Sequence, residues 1–292
     1  MGLIFSHAAF LVKAKQNGTS FDDILTIGRQ TLYVTVNQCQ ELANRCGHTI
    51  NASIIGREQY AEGFFHAMLD AKNVQSLDYS AYEECNIVHD MNQTVAPSLH
   101  EKFDAIIDGG TLEHVFNFPV AISNCMKMVR KNGSIFIFTT ANNFLGHGFY
   151  QFSPELFFRI FSPENGFEIR NMVLEQHRFP GVELSSKTKM FTVADPAALG
   201  ERVGLVSNSP IMLLVHAVRT EVKEPFGKFP IQSDYASRYE GGNPSKAGPA
   251  RILANKILQY LPRACRTYVI GKYQLMRYSF FNRRSYRRWH LF

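Results

Sequence analysis

Three predicted strands in this chain end at or just before an acid: Asn73 to Leu77 at Asp78, Cys85 to His89 at Asp90, and the apolar run from Phe103 at Asp108. A carboxylate at the tip of a buried strand is what a ribose needs, because it accepts both sugar hydroxyls. A fourth run, Ile24 to Ile27, ends at Gly28. A glycine there lets backbone approach a ligand closely, and Arg29 or Gln30 just beyond it has the groups to meet a carboxylate. Two histidines, His114 and His147, stand in polar loops after the later runs; either has the chemistry of a general base toward a hydroxyl. Each residue also has an ordinary explanation. Gly28 suits any strand-to-helix turn. Asp78 and Asp90 suit a helix N-cap or a solvated turn. Glu113 suits the opening of a helix as well as the shaping of a site, and a histidine in a turn serves as a structural hydrogen-bonding group.

The elements that must position these groups are legible around residues 103–143. Phe103 to Asp108 reads as a buried parallel strand closed by an acid and two glycines. Pro119 opens a helix, where its missing N–H costs nothing. Val120, Ile122, Cys125, Met126 and Val129 recur at helical spacing, Arg130 and Lys131 suit a helix C-terminus, and Asn132-Gly133 predicts the stop. Ser134 to Thr140 reads as a second buried strand. Strand, helix and strand make a right-handed βαβ unit, and ligands bind outside the carboxyl ends of such strands. The loops 108–114 and 140–151 both lie at that edge, and glycines flank His147 in the second.

The rest of the chain extends the pattern. Helices are expected over Ser6 to Lys15, Thr31 to Cys46 (against the strand preference of Tyr33 to Val36) and Arg57 to Ala71, with a loop over 47–56. Ser153-Pro154-Glu155 is a helix start. Strands are expected over Phe167 to Leu174 and, antiparallel and last, over Ile211 to Val218. The segment 178–209 reads as a cover over the site. Together these predict an α/β fold: a Rossmann-like doubly wound sheet, mostly parallel with an antiparallel last strand, spanning residues 1–220. A linker over 221–248 follows, then a basic, aromatic-rich helical extension over 249–292, with helices over Ala250 to Tyr260 and Thr267 to Tyr278.

Several of these stretches carry a resemblance. FDAIIDGGTLEHV…MVRKNGSIFIFTT resembles the fourth strand, helix and fifth strand of the class I S-adenosylmethionine-dependent methyltransferases. HGFYQFSPELFFRIFSPENGF resembles the loop, helix and Gly-Phe turn before their sixth strand. With IGRQ, SLDYS and HDMN, the pattern covers about residues 19–220 and looks like a divergent bacterial branch whose glycine-rich loop is reduced to Gly28. The resemblance implies S-adenosylmethionine as cofactor. It places Gly28, Arg29 and Gln30 near the methionine part, Asp78 and Tyr79 at the ribose, Asp90 and Met91 at the adenine, and Asp108 and Gly109 on the remaining edge. His147 first, and His114 second, would be the base toward a small-molecule or glycan hydroxyl, with surface polysaccharide modification as the associated setting. Two other functions compete. A non-catalytic descendant of the same fold, acting as a scaffold or binding module, is favoured by the lone Gly28. A nicotinamide enzyme is opposed by the missing GxGxxG after the first strand.

Composition sets the outer bounds. The chain has 292 residues, 45% hydrophobic, enough for one large core. It holds no apolar run of about 18 residues that would span a bilayer, and no secretory signal is expected at its start. Five dispersed cysteines without a CxxC pair fit reduced thiols in a cytoplasmic protein, so neither disulfides nor a metal site is expected. The net charge of +6 is unevenly spread: residues 241–292 hold eleven Lys or Arg and no acid, leaving the first 240 residues at −5. An acidic body opposes wrapping by nucleic acid. A basic, aromatic tail reads first as a solvated, partly helical extension and second as a segment suited to an anionic membrane surface, which would make the protein peripheral at the inner membrane face.

Overall fold

The computed structural model describes residues 2–47, 50, 55, 59–184, 188–239 and 258–291. Among these, nine strands form one sheet: β2 (Asp23–Ile27), β4 (Asn73–Asp78), β5 (Ile87–Val88), β6 (Phe103–Asp108), β7 (Val129–Asn142), β8 (Phe167–Gln176), β9 (Lys189–Val193), β10 (Ile211–Arg219) and β11 (Tyr286–Trp289). Their order is β11-β9-β8-β10-β7-β6-β2-β4-β5. The pairs from β5 to β7 are parallel. β10 runs antiparallel between β7 and β8. This is the doubly wound sheet that the sequence predicts, parallel from β5 to β7 with β10 as the reversed strand; β9 and β11, which the sequence does not predict, add antiparallel pairs beyond β8. A small second sheet pairs β1 (Gly2–Leu3) with β3 (Thr31–Leu32).

Both faces of the sheet are covered, so its central strands are apolar at nearly every position. Period-2 alternation divides their side chains between two cores. Leu25, Ile27, Ile106, Ile135 and Ile137 face α4 (Phe118–Met128) and α5 (Pro154–Ile160). Ile24, Ala105, Ile107, Phe136 and Phe138 face α1 (Phe5–Gln16), α2 (Val36–Cys46) and α3 (Glu62–Leu69). On the second face Phe10 meets Phe136 and Phe138 edge-on, and Phe21 stacks on Phe136. Burying each such ring stabilises by roughly 1.5–3 kcal/mol.

The structure corrects several predicted boundaries. The helix expected from Thr31 begins at Val36. Thr35 and Gln38 close a capping box there, with Thr35 Oγ1 accepting from the Gln38 N–H at 3.3 Å and Gln38 Oε1 from the Thr35 N–H at 2.9 Å. Thr31 and Leu32 follow their strand preference instead. Among the described residues, the helix expected over 57–71 covers α3 only, and Tyr60 bridges back to Thr31 instead. The loop expected over 47–56 lies mostly outside the described residues. The strand expected over 85–89 shortens to β5. α4 stops at Met128 rather than at Asn132-Gly133, since the carbonyls of Lys127 and Met128 accept the N–H groups of Glu101 and Lys102, at 2.8 and 2.9 Å, and draw Val129 into register with Phe103. Arg130 and Lys131 therefore lie in β7, not at a helix end.

α6 (Pro196–Leu199) sits in the segment expected to cover the site, and α7 (Ser233–Tyr239) in the expected linker. In the extension, α8 (Arg263–Arg277) matches the predicted helix. The helix expected over 250–260 falls largely outside the described residues. β11 was not foreseen. It pairs antiparallel with β9 and places Tyr286 in the core, with its hydroxyl donating to the Gly204 carbonyl at 2.9 Å.

Candidate active site

The strand order reverses around β2, which has β4 on one side and β6 on the other. Ile27 pairs with Leu77 and with Asp108. Gly28, Asp78 and Gly109 therefore leave the sheet side by side at its carboxyl edge, the place where doubly wound sheets bind ligands.

Gln30 dominates the gap between β2 and β6. Its side chain is buried, and Nε2 donates to the carbonyls of Ile27 and Gly28 at 2.8 and 3.0 Å. Its Oε1 is buried without a hydrogen-bond partner. A β-carbon on Gly109 would stand 2.0 Å from that oxygen, and one on Gly28 would stand 2.6 Å from Thr111 Oγ1. Gly28 also has φ +72°. Both glycines thus give room to the chain's own side chains. Arg29 points elsewhere: Nε donates to Glu62 at 2.7 Å, Nη1 donates to the Glu83 carbonyl at 2.9 Å, and the guanidinium lies over the Tyr60 ring.

At the neighbouring tips, Asp78 is half-buried and accepts the Tyr79 N–H at 2.6 Å, while Tyr79 itself is 72% exposed. Asp90 accepts both the backbone N–H and the amide of Asn92, at 2.9 and 2.7 Å, and these bonds hold its carboxyl below the usual range. Met91 is buried in the core beside Asn124. Asp108 is buried and turns back on its own loop, where Oδ1 accepts the N–H groups of Thr111 and Leu112 at 2.8 and 3.3 Å and Oδ2 has no partner. Burial, with the nearby charge of Glu113, pushes its pKa well above the ordinary value against the pull of the loop amides.

A second cluster forms at the tip of β7. Glu113 is fully buried on a short turn, Leu112–His114, and Oε2 accepts the Thr139 hydroxyl at 3.0 Å. Its Oε1 lacks a hydrogen-bond partner and lies 3.7 Å from His147 Nε2. Burial pushes Glu113 up to about 7. Burial also lowers His114 and His147, with His147 adding to the effect on His114. The two imidazoles meet edge-on at 5.1 Å. The 146–150 loop is fastened to Glu113 itself, whose carbonyl accepts the N–H groups of Phe149 and Tyr150 at 2.8 and 3.2 Å. Gly148, at φ +71°, permits this contact; a β-carbon there would stand 2.8 Å from the Glu113 carbonyl oxygen.

His147, Thr140, Phe144 and Gly109 line a cavity of about 200 Å³ together with Ile4 and residues 180–183. The structure thus brings His114, His147 and Glu113 together beside a cavity that Gly109 shares. Asp78, Tyr79 and Asp90 form a second group further along the edge. Sequence reasoning missed Thr139, Gly148 and the part played by the N-terminal segment. Two hydroxyls at the end of an apolar strand, Thr139-Thr140, were the one available signal. Nothing local marks residues 2–4 as a wall of the cavity.

No family model matches the chain, and no curated protein matches it. Solved structures similar to it include the YcgJ protein of Bacillus subtilis, at 12% identity and TM-score 0.40, covering 74% of this chain and 100% of that one. A 1,6-didemethyltoxoflavin-N1-methyltransferase of Burkholderia thailandensis is similar at 12% identity and TM-score 0.38, covering 74% and 78%. A SAM-dependent methyltransferase of Thermotoga maritima is similar at 14% identity and TM-score 0.37, covering 74% and 89%. The fold described above rests on strand order and pairing alone.

Proposed function

We propose that this chain is an S-adenosylmethionine-dependent methyltransferase acting on a hydroxyl of a small molecule or glycan, with surface polysaccharide modification as its setting. The observation that carries this reading is the shared level of Gly28, Asp78 and Gly109 at the point where strand order reverses. The residues there fit the cofactor. Asp78 is half-buried at a strand tip, within reach of ribose hydroxyls, and exposed Tyr79 offers a ring beside it. Gln30 Oε1 is a buried acceptor in want of a donor, and the ammonium of an amino-acid moiety supplies one. In this reading Gln30 replaces the missing glycines as the floor of the site.

When bound, the cofactor supplies an activated methyl group. The chain's part is to hold the acceptor atom in line with it, since positioning contributes much of the rate of such a displacement. The cavity beside His147 lies next to Gly109 and is flanked by residues 180–183, a place for the acceptor beside that edge. His147, which lines that cavity, is the first candidate for the base toward its hydroxyl, and His114, whose ring lies 5.1 Å away, the second.

The same Gln30 favours a second reading, a non-catalytic scaffold, because its side chain fills the β2–β6 gap and Arg29 is engaged with Glu62. Calorimetric titration with S-adenosylmethionine and its demethylated product separates the two. Binding that disappears in Asp78→Ala supports the enzyme, and no binding to the wild type supports the scaffold. For the extension, we infer attraction to an anionic lipid surface, which would make this a cytoplasmic protein held at the inner membrane face. α8 has no buried residue and carries Arg263, Arg266 and Lys272 among exposed Tyr268, Tyr273 and Met276. No helix among the described residues is long and apolar enough to cross a membrane.

A further inference from the structure

We propose that Glu113, His114 and His147 form a binding site for one divalent transition-metal cation of the zinc type. One ligand atom from each lies within 4.8 Å of the others. Two imidazoles and a carboxylate are a donor set suited to such ions, and three protein ligands leave a fourth position open.

The geometry is close to that of a ligated site. Ligand atoms around a tetrahedral zinc with bonds of about 2.0–2.1 Å lie roughly 3.4 Å apart, and Glu113 Oε1 lies 3.7 Å from His147 Nε2. His114 is exposed, so its ring has room to turn toward the same shell. The carboxylate is already oriented: the Thr139 hydroxyl takes Oε2 and leaves Oε1 directed at the histidines, buried and without a hydrogen-bond partner. Such an outer partner is how metal-ligating carboxylates are held. His147 is held in turn, because its loop hangs from the Glu113 carbonyl through Phe149 and Tyr150. Asp108, also buried, adds a second carboxylate oxygen without a hydrogen-bond partner, Oδ2.

Of the three ligands, His147 also lines the cavity next to Gly109, so a cation held there would stand beside the space proposed for the acceptor. The cation then orients and polarises the acceptor's hydroxyl. The cation site stands on geometry alone, whereas the acceptor's place on it rests on the methyl-transfer reading above.

The test is titration of the full chain, freed of metal by a chelator, with Zn²⁺ by calorimetry and with Co²⁺ by visible absorption. One equivalent is expected to bind, with ligand-field bands of a nitrogen- and oxygen-ligated cobalt. His147→Ala and Glu113→Gln are each expected to weaken binding more than the roughly 10–100-fold that loss of an outer partner costs. His147 lies on a partly exposed loop, so its variant keeps the test decisive should Glu113→Gln fold poorly. No binding to the wild type, binding unchanged in His147→Ala, or a thiolate charge-transfer band from the cysteines overturns the proposal. S-adenosylmethionine titrated into the same protein reports the methyl-transfer reading separately: cofactor without zinc removes only the cation, and zinc without cofactor removes only the cofactor.

Discussion

Gln30 decides which of the two functions holds, because one side chain is both the floor of the candidate site and its obstruction. Truncation to alanine removes an acceptor whose bond to a charged donor is worth about 1.5–3 kcal/mol. Gln30→Ala is therefore expected to weaken S-adenosylmethionine roughly 10–100-fold in calorimetry. Unchanged or tighter binding would show that the amide blocks the gap instead. Gly148→Ala tests the other cluster. It forces a β-carbon into the left-handed region and against the Glu113 carbonyl, at 2.8 Å, so it is expected to displace His147 and to cost about 1–3 kcal/mol of stability in urea unfolding. Full stability with unaltered zinc affinity would dismiss that role. At this scale the sequence revealed which residues stand at the strand tips, but not where they point. Asp108, Asp90 and Asp78 look alike as acids after apolar runs. Whether each faces a ligand or caps its own loop depends on loop amides such as those of Thr111 and Asn92, which no pattern encodes.

Elements were legible in proportion to burial. β2 and β6 are apolar runs buried on both faces, the reversed β10 is equally plain, and β4, half-buried with the sequence Asn-Val-Gln-Ser-Leu-Asp, was legible from its place in the pattern instead. The start of β7 was not, because Val129-Arg130-Lys131 has the composition of a helix end and only the Glu101 and Lys102 amides decide otherwise. β11 escaped because Tyr-Arg-Arg-Trp has too little alternation to read as a strand, and its partner β9 is distant in sequence. That strand also changes how the tail is tested. Removing residues 241–292 would strip β11 from the sheet and expose the core at Tyr286. Charge reversal on the helix avoids this. Arg266→Glu with Lys272→Glu touches an element without buried residues. Each basic residue near an anionic surface contributes about 1 kcal/mol, so the double variant is expected to lose most sedimentation with phosphatidylserine vesicles while keeping its urea midpoint. Equal sedimentation would discard the lipid surface.

Across the whole molecule, folding buries histidines that unfolding releases. Burial lowers His216 to about 3, helped by the charge of Arg170, while its ring stacks on Phe136 and its Nε2 meets the Ser134 hydroxyl at 3.1 Å. Burial lowers His7 to about 4, opposed by the charge of Glu175 and reinforced by that of His177. A histidine depressed in the fold stays neutral there while the unfolded chain, near 6.5, takes up a proton. The unfolded state thus binds more protons below that value, and stability falls as pH falls. Glu175 acts in the same direction: burial pushes it up, but His177, 3.3 Å away, with His7 and Ser6, leaves it lowered, and its contribution is lost on acidification. Asp108 and Glu113 act oppositely, since both are raised and protonate first in the fold. The net slope therefore mixes signs, and a single substitution isolates one of them. His216→Phe keeps the stack on Phe136 and removes the titrating group. It is expected to be less stable than the wild type at pH 7, where Ser134 loses its partner, and to recover about 2 kcal/mol relative to the wild type at pH 5. Urea unfolding of both proteins at the two pH values measures the difference, and parallel losses would mean that His216 is not held neutral by its burial.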